Sequence, residues 1–314
     1  MLEYVLGIDG GASKTVALLA TRDGHVVARA QVGGSNKQVA GVAATLATLD
    51  AAVAAVFAEA QLSPGMLAAA CLGLSGVDRA EDLALISGWA HERRLAATLD
   101  IANDARLVIA AGTPAGVGVG LICGTGSIAF GATPDGREAR AGGWGFALGD
   151  EGSGFDIARM ALRAATAAAD GRGPATLLLD ALLEHWELSQ ASDLIPLVYH
   201  QYEPRRFMVE IPPLVKRCAD AGDPLACDVL RCAGAELAQA VLAVARALGF
   251  GDGAPLALAG SVIRHTPQLQ HALVAALRQQ GFLAEPVQLV DEPARGAVNV
   301  ACRAAGRWAT APRQ

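Results

Sequence analysis

The stretch Leu6-Gly7-Ile8-Asp9-Gly10-Gly11-Ala12-Ser13-Lys14-Thr15 decides the fold. Residues 4–8 are apolar and short, as a buried strand requires, and Asp9 to Thr15 make a Gly-rich turn carrying hydroxyls and one ammonium. Residues 16–21 read as a second strand, Asp23-Gly24 as a tight turn and 25–31 as a third strand. The same unit returns later: strand 117–122, the turn Cys123-Gly124-Thr125-Gly126-Ser127, strand 128–132, then Pro134-Asp135-Gly136. This repetition predicts two lobes of common design.

Around these hairpins the periodicity predicts one Ala-rich helix over 39–60, a strand over 68–74, a helix over 80–93 and a strand over 97–102. Residues from about 155 to 239 read as mainly helical. Asp223-Pro224 is a helix start and Gly249 its end. A strand over 256–259, a helix over 267–279, a strand over 286–290 and a helix over 294–305 follow.

The chain has 314 residues, enough for two domains; 53 % are hydrophobic and 18 % charged, which excludes a disordered protein. The 36 glycines show no three-residue period, so a collagen-like chain is excluded. A net charge of -6 without a basic block argues against nucleic acid or an anionic membrane as partner. The N-terminal apolar run is short and lacks a basic flank, unlike a signal peptide. The uncharged stretch 107–134 is broken by glycines and Pro114, so it reads as strand and turn. The expectation is a soluble, cytoplasmic protein. The six cysteines include no CxxC pair, and they are expected to act as small buried apolar residues.

The chemistry concentrates in the turns. Gly10, Gly11, Gly124 and Gly126 let backbone N–H groups approach an anion, and Ser13, Lys14, Thr15, Thr125 and Ser127 add donors. Neither turn is a Walker loop, and a plain hairpin turn is the competing reading of each alone. Two such turns in matched contexts suit a nucleotide phosphate chain. Asp9 beside phosphate donors would repel the ligand unless Mg2+, held through water, intervened; the alternative is a turn aspartate bonded to its own backbone. Asp104 and Asp150 each have the alternative of capping the helix that follows. Trp144, among glycines, either plugs a gap between loops or lines a pocket. Asn36 offers the donors and acceptors that a sugar requires.

The motifs LGIDGGASKT, GSN at 34–36, NDA at 103–105, CGTGSI, GGWGFALGDEGS and LALAGSV at 256–262 together resemble the actin, sugar-kinase and heat-shock ATPase superfamily. Within it the chain is most similar to the BadF/BadG/BcrA/BcrD-type ATPase family that contains N-acetylglucosamine kinase. The resemblance implies a two-lobed α/β, actin-like (ribonuclease H-like) fold with ATP in the interlobe cleft. One lobe would take residues 1–113 plus a C-terminal helix, 293–308; the other would take 114–292. It further implies that Ser13, Lys14 and Thr125, with the turn residues Gly10, Gly11 and Thr15, contact ATP phosphates, and that Gly260 and Ser261 approach the adenosine. Asn36, Asp104, Ser127, Gly143, Trp144, Gly145 and Asp150 would line a sugar pocket, with Asp104 as catalytic base. Ala12-Ser13 departs from the usual Gly-Thr, although the hydroxyl is kept. The implied activity is ATP- and Mg2+-dependent phosphorylation of the 6-hydroxyl of N-acetyl-D-glucosamine, by an enzyme able to pair as a homodimer. Glucosamine or another amino sugar is the alternative substrate. An activator-type ATPase, whose iron–sulfur cluster needs Cys ligands, and a non-catalytic sugar or nucleotide sensor are the alternatives of another class.

Overall fold

The computed structural model describes residues 3–11, 13–77, 79–200 and 208–310. Ala12, Asp78 and 201–207, which the sequence reading places in a turn, a strand-end loop and the mainly helical region, lie outside the described residues. The chain divides into two compact units, Met1–Val117 with Val290–Gln314, and Gly118–Leu289.

The first unit is built on β1 (Tyr4–Gly10), β2 (Thr15–Thr21), β3 (Val26–Val32), β4 (Leu67–Leu74) and β5 (Ala96–Ala102), in the order β3-β2-β1-β4-β5. The first three form an antiparallel meander, and β4 and β5 extend the sheet in parallel from β1. Between them lie α1 (Lys37–Ala40), α2 (Val42–Glu59), α3 (Ala80–Glu92) and α4 (Asp104–Gly112). The strand period of two separates the faces. Leu6, Ile8, Ala17 and Leu19 pack with Leu49, Val56 and Phe57 of α2 and Ile86 and Trp89 of α3. Val5, Val16, Leu18 and Cys71 pack with Leu107 of α4 and Ala294, Ala297, Val298 and Ala301 of the C-terminal helix, Ala294–Thr310. That helix lies so close to β1 that a Cβ on Gly7 would sit 2.6 Å from the Val298 nitrogen. By length and composition α2 is the one described helix that could cross a membrane. In this fold its Leu49, Ala52, Val56 and Phe57 are buried in the unit's core.

The expected single helix over 39–60 is instead two. Gly41 sits at φ +82, outside helical space, and splits α1 from α2.

The second unit repeats the plan with β6 (Gly118–Cys123), β7 (Ser127–Ala132), β8 (Glu138–Gly142), β9 (Gly253–Ala259) and β10 (Leu283–Leu289), ordered β10-β9-β6-β7-β8. Again three strands meander and two run parallel. The repetition read from the two hairpins therefore extends to whole sheets. Helices α5 (Gly154–Ala169), α6 (Leu177–His185), α7 (Leu194–His200), α8 (Ile211–Asp220), α9 (Pro224–Leu248), α10 (Ser261–His265) and α11 (Pro267–Gln279) complete the unit. Its core joins Val119, Leu121 and Leu258 of the sheet to Ile157, Val215, Leu237, Val241 and Leu273.

Asp223 starts α9 as expected, and Gly249 ends it in the left-handed region at φ +73. The Asp223 carboxylate is 4 % exposed. It accepts from Ala226 N (2.8 Å), Leu177 N (2.8 Å) and Thr176 Oγ1 (3.0 Å), so one side chain fastens the starts of two helices. Asp223→Ala should therefore cost more than an ordinary cap, roughly 2–3 kcal/mol, read as a lowered urea midpoint. An unchanged midpoint would mean that these bonds add nothing net.

The cysteines depart in part from expectation. All are free; Cys71, Cys123 and Cys218 are buried, whereas Cys227 and Cys232 are exposed and Cys302 is intermediate. Cys227 and Cys232 fall on the outer stripe of α9, away from the apolar stripe that begins at Ala226 and Val229.

Candidate active site

In the first unit the Gly-rich turn is held by backbone hydrogen bonds, with one pair of hydroxyls packed against it. Gly11 N donates to Lys14 O (2.9 Å), Ser35 N to Gly11 O (3.0 Å), and Ser75 N to Gly10 O (2.8 Å). A Cβ on Gly10 would run into the Ser35 hydroxyl, so the strand end must be glycine. Thr15 is fully buried and its hydroxyl donates to Ser35 Oγ at 2.9 Å. Ser13 and Lys14, by contrast, are exposed. The turn thus presents Ser13 and Lys14 to a ligand and spends the Thr15 side chain on its own support.

Asp9 lies within β1, opposite Val16 and Gly73, and not in the turn, so it is not a turn aspartate bonded to its own backbone. It shares the strand face of Val5 and Gly7, which α4 and the C-terminal helix cover. Burial raises its carboxyl from 3.8 to about 7; the charge of Asp104 adds to the rise, Lys14 opposes it and Glu292 adds again. Glu292 itself is paired with Arg29 at 2.6 Å.

Asp104 is the first residue of α4, but Asn103 is the cap: its side chain accepts from Ala105 N at 3.0 Å. The capping explanation of Asp104 therefore falls away. Its carboxylate stands at a helix N-terminus, where negative charge is favoured, and near enough to Asp9 for its charge to raise the Asp9 carboxyl.

Asn36 caps α1, with Oδ1 accepting from Gln38 N (2.9 Å), and its Nδ2 donates to Ser75 Oγ (3.3 Å). Sequence reasoning passed over Ser75. The available signal was its place just after the carboxyl end of a buried parallel strand, where open α/β sheets collect ligand groups. Asp9, the β1–β2 turn, Asn36, Ser75 and Asp104 are thus brought to one end of one sheet.

In the second unit, Gly124 N donates to Gly126 O (3.0 Å), and the turn is tied to the start of α5 by Gly154 N to Gly124 O (2.8 Å) and Phe155 N to Thr125 O (3.2 Å). Thr125 is exposed. Ser127 is 9 % exposed; its N–H donates to Asp150 Oδ1 (3.2 Å) and its hydroxyl to Glu151 O (2.8 Å). A Cβ on Gly126 would lie 2.8 Å from Asp150 Oδ2. Asp150 has φ +61 and is not the cap of α5; that role belongs to Ser153, whose Oγ accepts from Asp156 N at 3.3 Å. Gly143 and Gly145 hold positive φ, and the Gly145 carbonyl accepts from Leu148 N (3.1 Å) and Gly149 N (2.8 Å). This tight turn leaves Trp144 63 % exposed, its ring under the Arg140 guanidinium at 4.9 Å. Trp144 therefore plugs no gap. Gly260, at φ +101, leaves no room for a Cβ against the Cys123 carbonyl, and Ser261 follows as the exposed first residue of α10.

The profile of the BadF/BadG/BcrA/BcrD ATPase family matches residues 6–301. The chain is 31 % identical over 301 residues to an N-acetylmuramic acid/N-acetylglucosamine kinase of Clostridium acetobutylicum, covering 96 % of this chain and 98 % of that protein. It is 31 % identical over 315 residues to an N-acetyl-D-glucosamine kinase of Dictyostelium discoideum, covering 95 % and 98 %. A solved structure described as an N-acetylglucosamine kinase of Chromobacterium violaceum is 29 % identical with a TM-score of 0.73, covering 95 % of this chain and 98 % of that one. Both units carry the Gly-rich turns on matching strand orders, and the match runs across both. The chain belongs to the BadF/BadG/BcrA/BcrD ATPase family.

Proposed function

We propose that this protein is an ATP-dependent amino-sugar kinase that phosphorylates the 6-hydroxyl of N-acetyl-D-glucosamine. The observation that carries the reading is Asp104, a carboxylate at the first turn of α4 whose charge acts on Asp9, with its helix capped by Asn103. Phosphoryl transfer asks a protein for positioning, charge neutralisation and a group to take the attacking hydroxyl's proton. Asp104 accepts that proton as the new O–P bond forms, while the bond to the leaving ADP breaks. Ser13, Lys14, Thr125 and the backbone of Gly10 and Gly11 contact the phosphates; Gly260 and Ser261 approach the adenosine. Thr15 acts through Ser35 and keeps the turn in shape. Asn36, Ser127, Gly143, Trp144, Gly145 and Asp150 line the sugar pocket. A buried carboxylate raised to about 7 with two further acids acting on it fits a cation nearby, so Asp9 would hold Mg2+ through water. When bound, that ion neutralises phosphate charge. The reading also carries a cytoplasmic enzyme with a small sugar as partner and the capacity to form a homodimer.

The test is a panel of N-acetylglucosamine, glucosamine and N-acetylmuramic acid with ATP and Mg2+, read by product analysis. A 6-phosphate of N-acetylglucosamine is expected as the main product. Preference for glucosamine would move the substrate; sugar binding without turnover would make the protein a sensor.

Within this site Asn36→Ala should weaken sugar binding by about 1–3 kcal/mol while ATP binding stays nearly intact, both read by calorimetry. Equal weakening of both ligands would mean that Asn36 serves only the loop.

A further inference from the structure

The loop carrying Asn36 is fixed by more than its own hydrogen bonds. Lys37, the first residue of α1, forms an ion pair with Asp82 in the first turn of α3. The Asp82 side chain is 4 % exposed and that of Lys37 24 %, so the pair is largely withdrawn from water. Nearby, Asn36 Nδ2 reaches Ser75 Oγ, and a Cβ on Gly76 (φ +78) would lie 3.3 Å from Asn36 Oδ1 and 3.5 Å from Gln38 Nε2. The loop after β4 and the 33–38 loop therefore meet along one seam, and the ion pair joins the residue after Asn36, Lys37, to α3.

A buried ion pair is a poor source of stability, because desolvating both charges offsets their attraction; what it supplies is a fixed geometry. A four-residue helix has little rigidity of its own. We propose that Lys37 and Asp82 are positioning residues for sugar recognition: their ion pair sets the register of α1 against α3 and so places the Asn36 side chain. This rests on Asn36 contacting the sugar, as proposed above.

Three variants test it. Lys37→Met should raise the sugar KM by about tenfold or more, with the ATP KM within about twofold of wild type, because displacement of a binding group by a fraction of an ångström acts on one ligand only. It leaves Asp82 buried and unpaired, so its melting temperature should fall as well. Lys37→Met with Asp82→Leu replaces the pair by apolar groups and should recover the melting temperature while the sugar KM stays raised. Recovery of the sugar KM together with stability would overturn the proposal, since the pair would then be merely structural. Lys37→Arg keeps the charge and should bring the sugar KM back to within about threefold of wild type; a value as poor as that of Lys37→Met would also overturn it. Asn36→Ala runs alongside. An unchanged sugar KM there removes the pocket reading itself, whereas a raised one with wild-type values in both Lys37→Met and the double variant removes only the role of the ion pair.

Discussion

Asp104→Asn should lower kcat by about 100- to 10,000-fold, the usual cost of losing a general base. The substitution keeps shape and most hydrogen bonds but cannot take a proton. Sugar and ATP dissociation constants should change little, because Ser13, Lys14, Asn36 and the turns are untouched, so the loss falls on turnover and not on binding. Stability is the control. Asn103 caps α4, so position 104 is not needed for the cap, and the melting temperature should stay near that of wild type. Asn103→Ala is the complementary variant: it should cost about 1 kcal/mol of stability, as a lost cap does. Wild-type kcat in Asp104→Asn would remove Asp104 from the chemistry and with it this placement of the active site.

Local chain chemistry carried much of this fold. Strand 4–8, the Gly-rich turns, the Asp223 cap, the Gly249 terminus and the helix over 267–279 each follow from a few neighbouring residues. What escaped depended on distant packing. β8 alternates Glu138 and Arg140 with Ala139 and Ala141 over only five residues at the edge of its sheet, so its apolar face is two alanines and too slight to mark a strand. Gly41 looked like one more small residue in an Ala-rich run; only its backbone angle separates α1 from α2. In the candidate site, the places of Asp9 near the end of β1 and of Asp104 just after β5 could be read from the sequence, because each follows an apolar run of strand length. Thr15 and Ser13 were not separable by type, since both bring a hydroxyl to the same turn. Strand register decides between them: Thr15 pairs opposite Gly10 and points inward to Ser35, twenty residues away. The true caps, Asn103 and Ser153, sit one and three residues from the aspartates that chemistry singled out.

Asp9→Asn should stabilise the protein at alkaline pH while impairing phosphoryl transfer. The unfolded chain releases the Asp9 proton near 3.8, whereas the folded protein keeps it until about 7. Between those values the folded state holds more protons than the unfolded one, so rising pH costs stability across this window, and the full cost stands above pH 7. At 1.36 kcal/mol per pH unit that cost approaches about 4 kcal/mol. Asparagine carries no charge to desolvate and does not repel Asp104 or Glu292. The variant and wild type should thus have nearly equal unfolding free energies at pH 4, and the variant should lead increasingly up to pH 8, as urea titrations at each pH would read. Parallel profiles would mean that Asp9 is ionised throughout the range. On the function proposed above the gain in stability comes with a loss: a cation held through water would relieve the carboxylate in this unfavourable setting, and asparagine would hold that cation less well. Wild type should gain more thermal stability from Mg2+ with ATP than Asp9→Asn does, since binding to the folded state alone shifts its unfolding. An equal gain in both would separate Asp9 from the metal and leave its raised carboxyl as a consequence of packing between β1, α4 and the C-terminal helix.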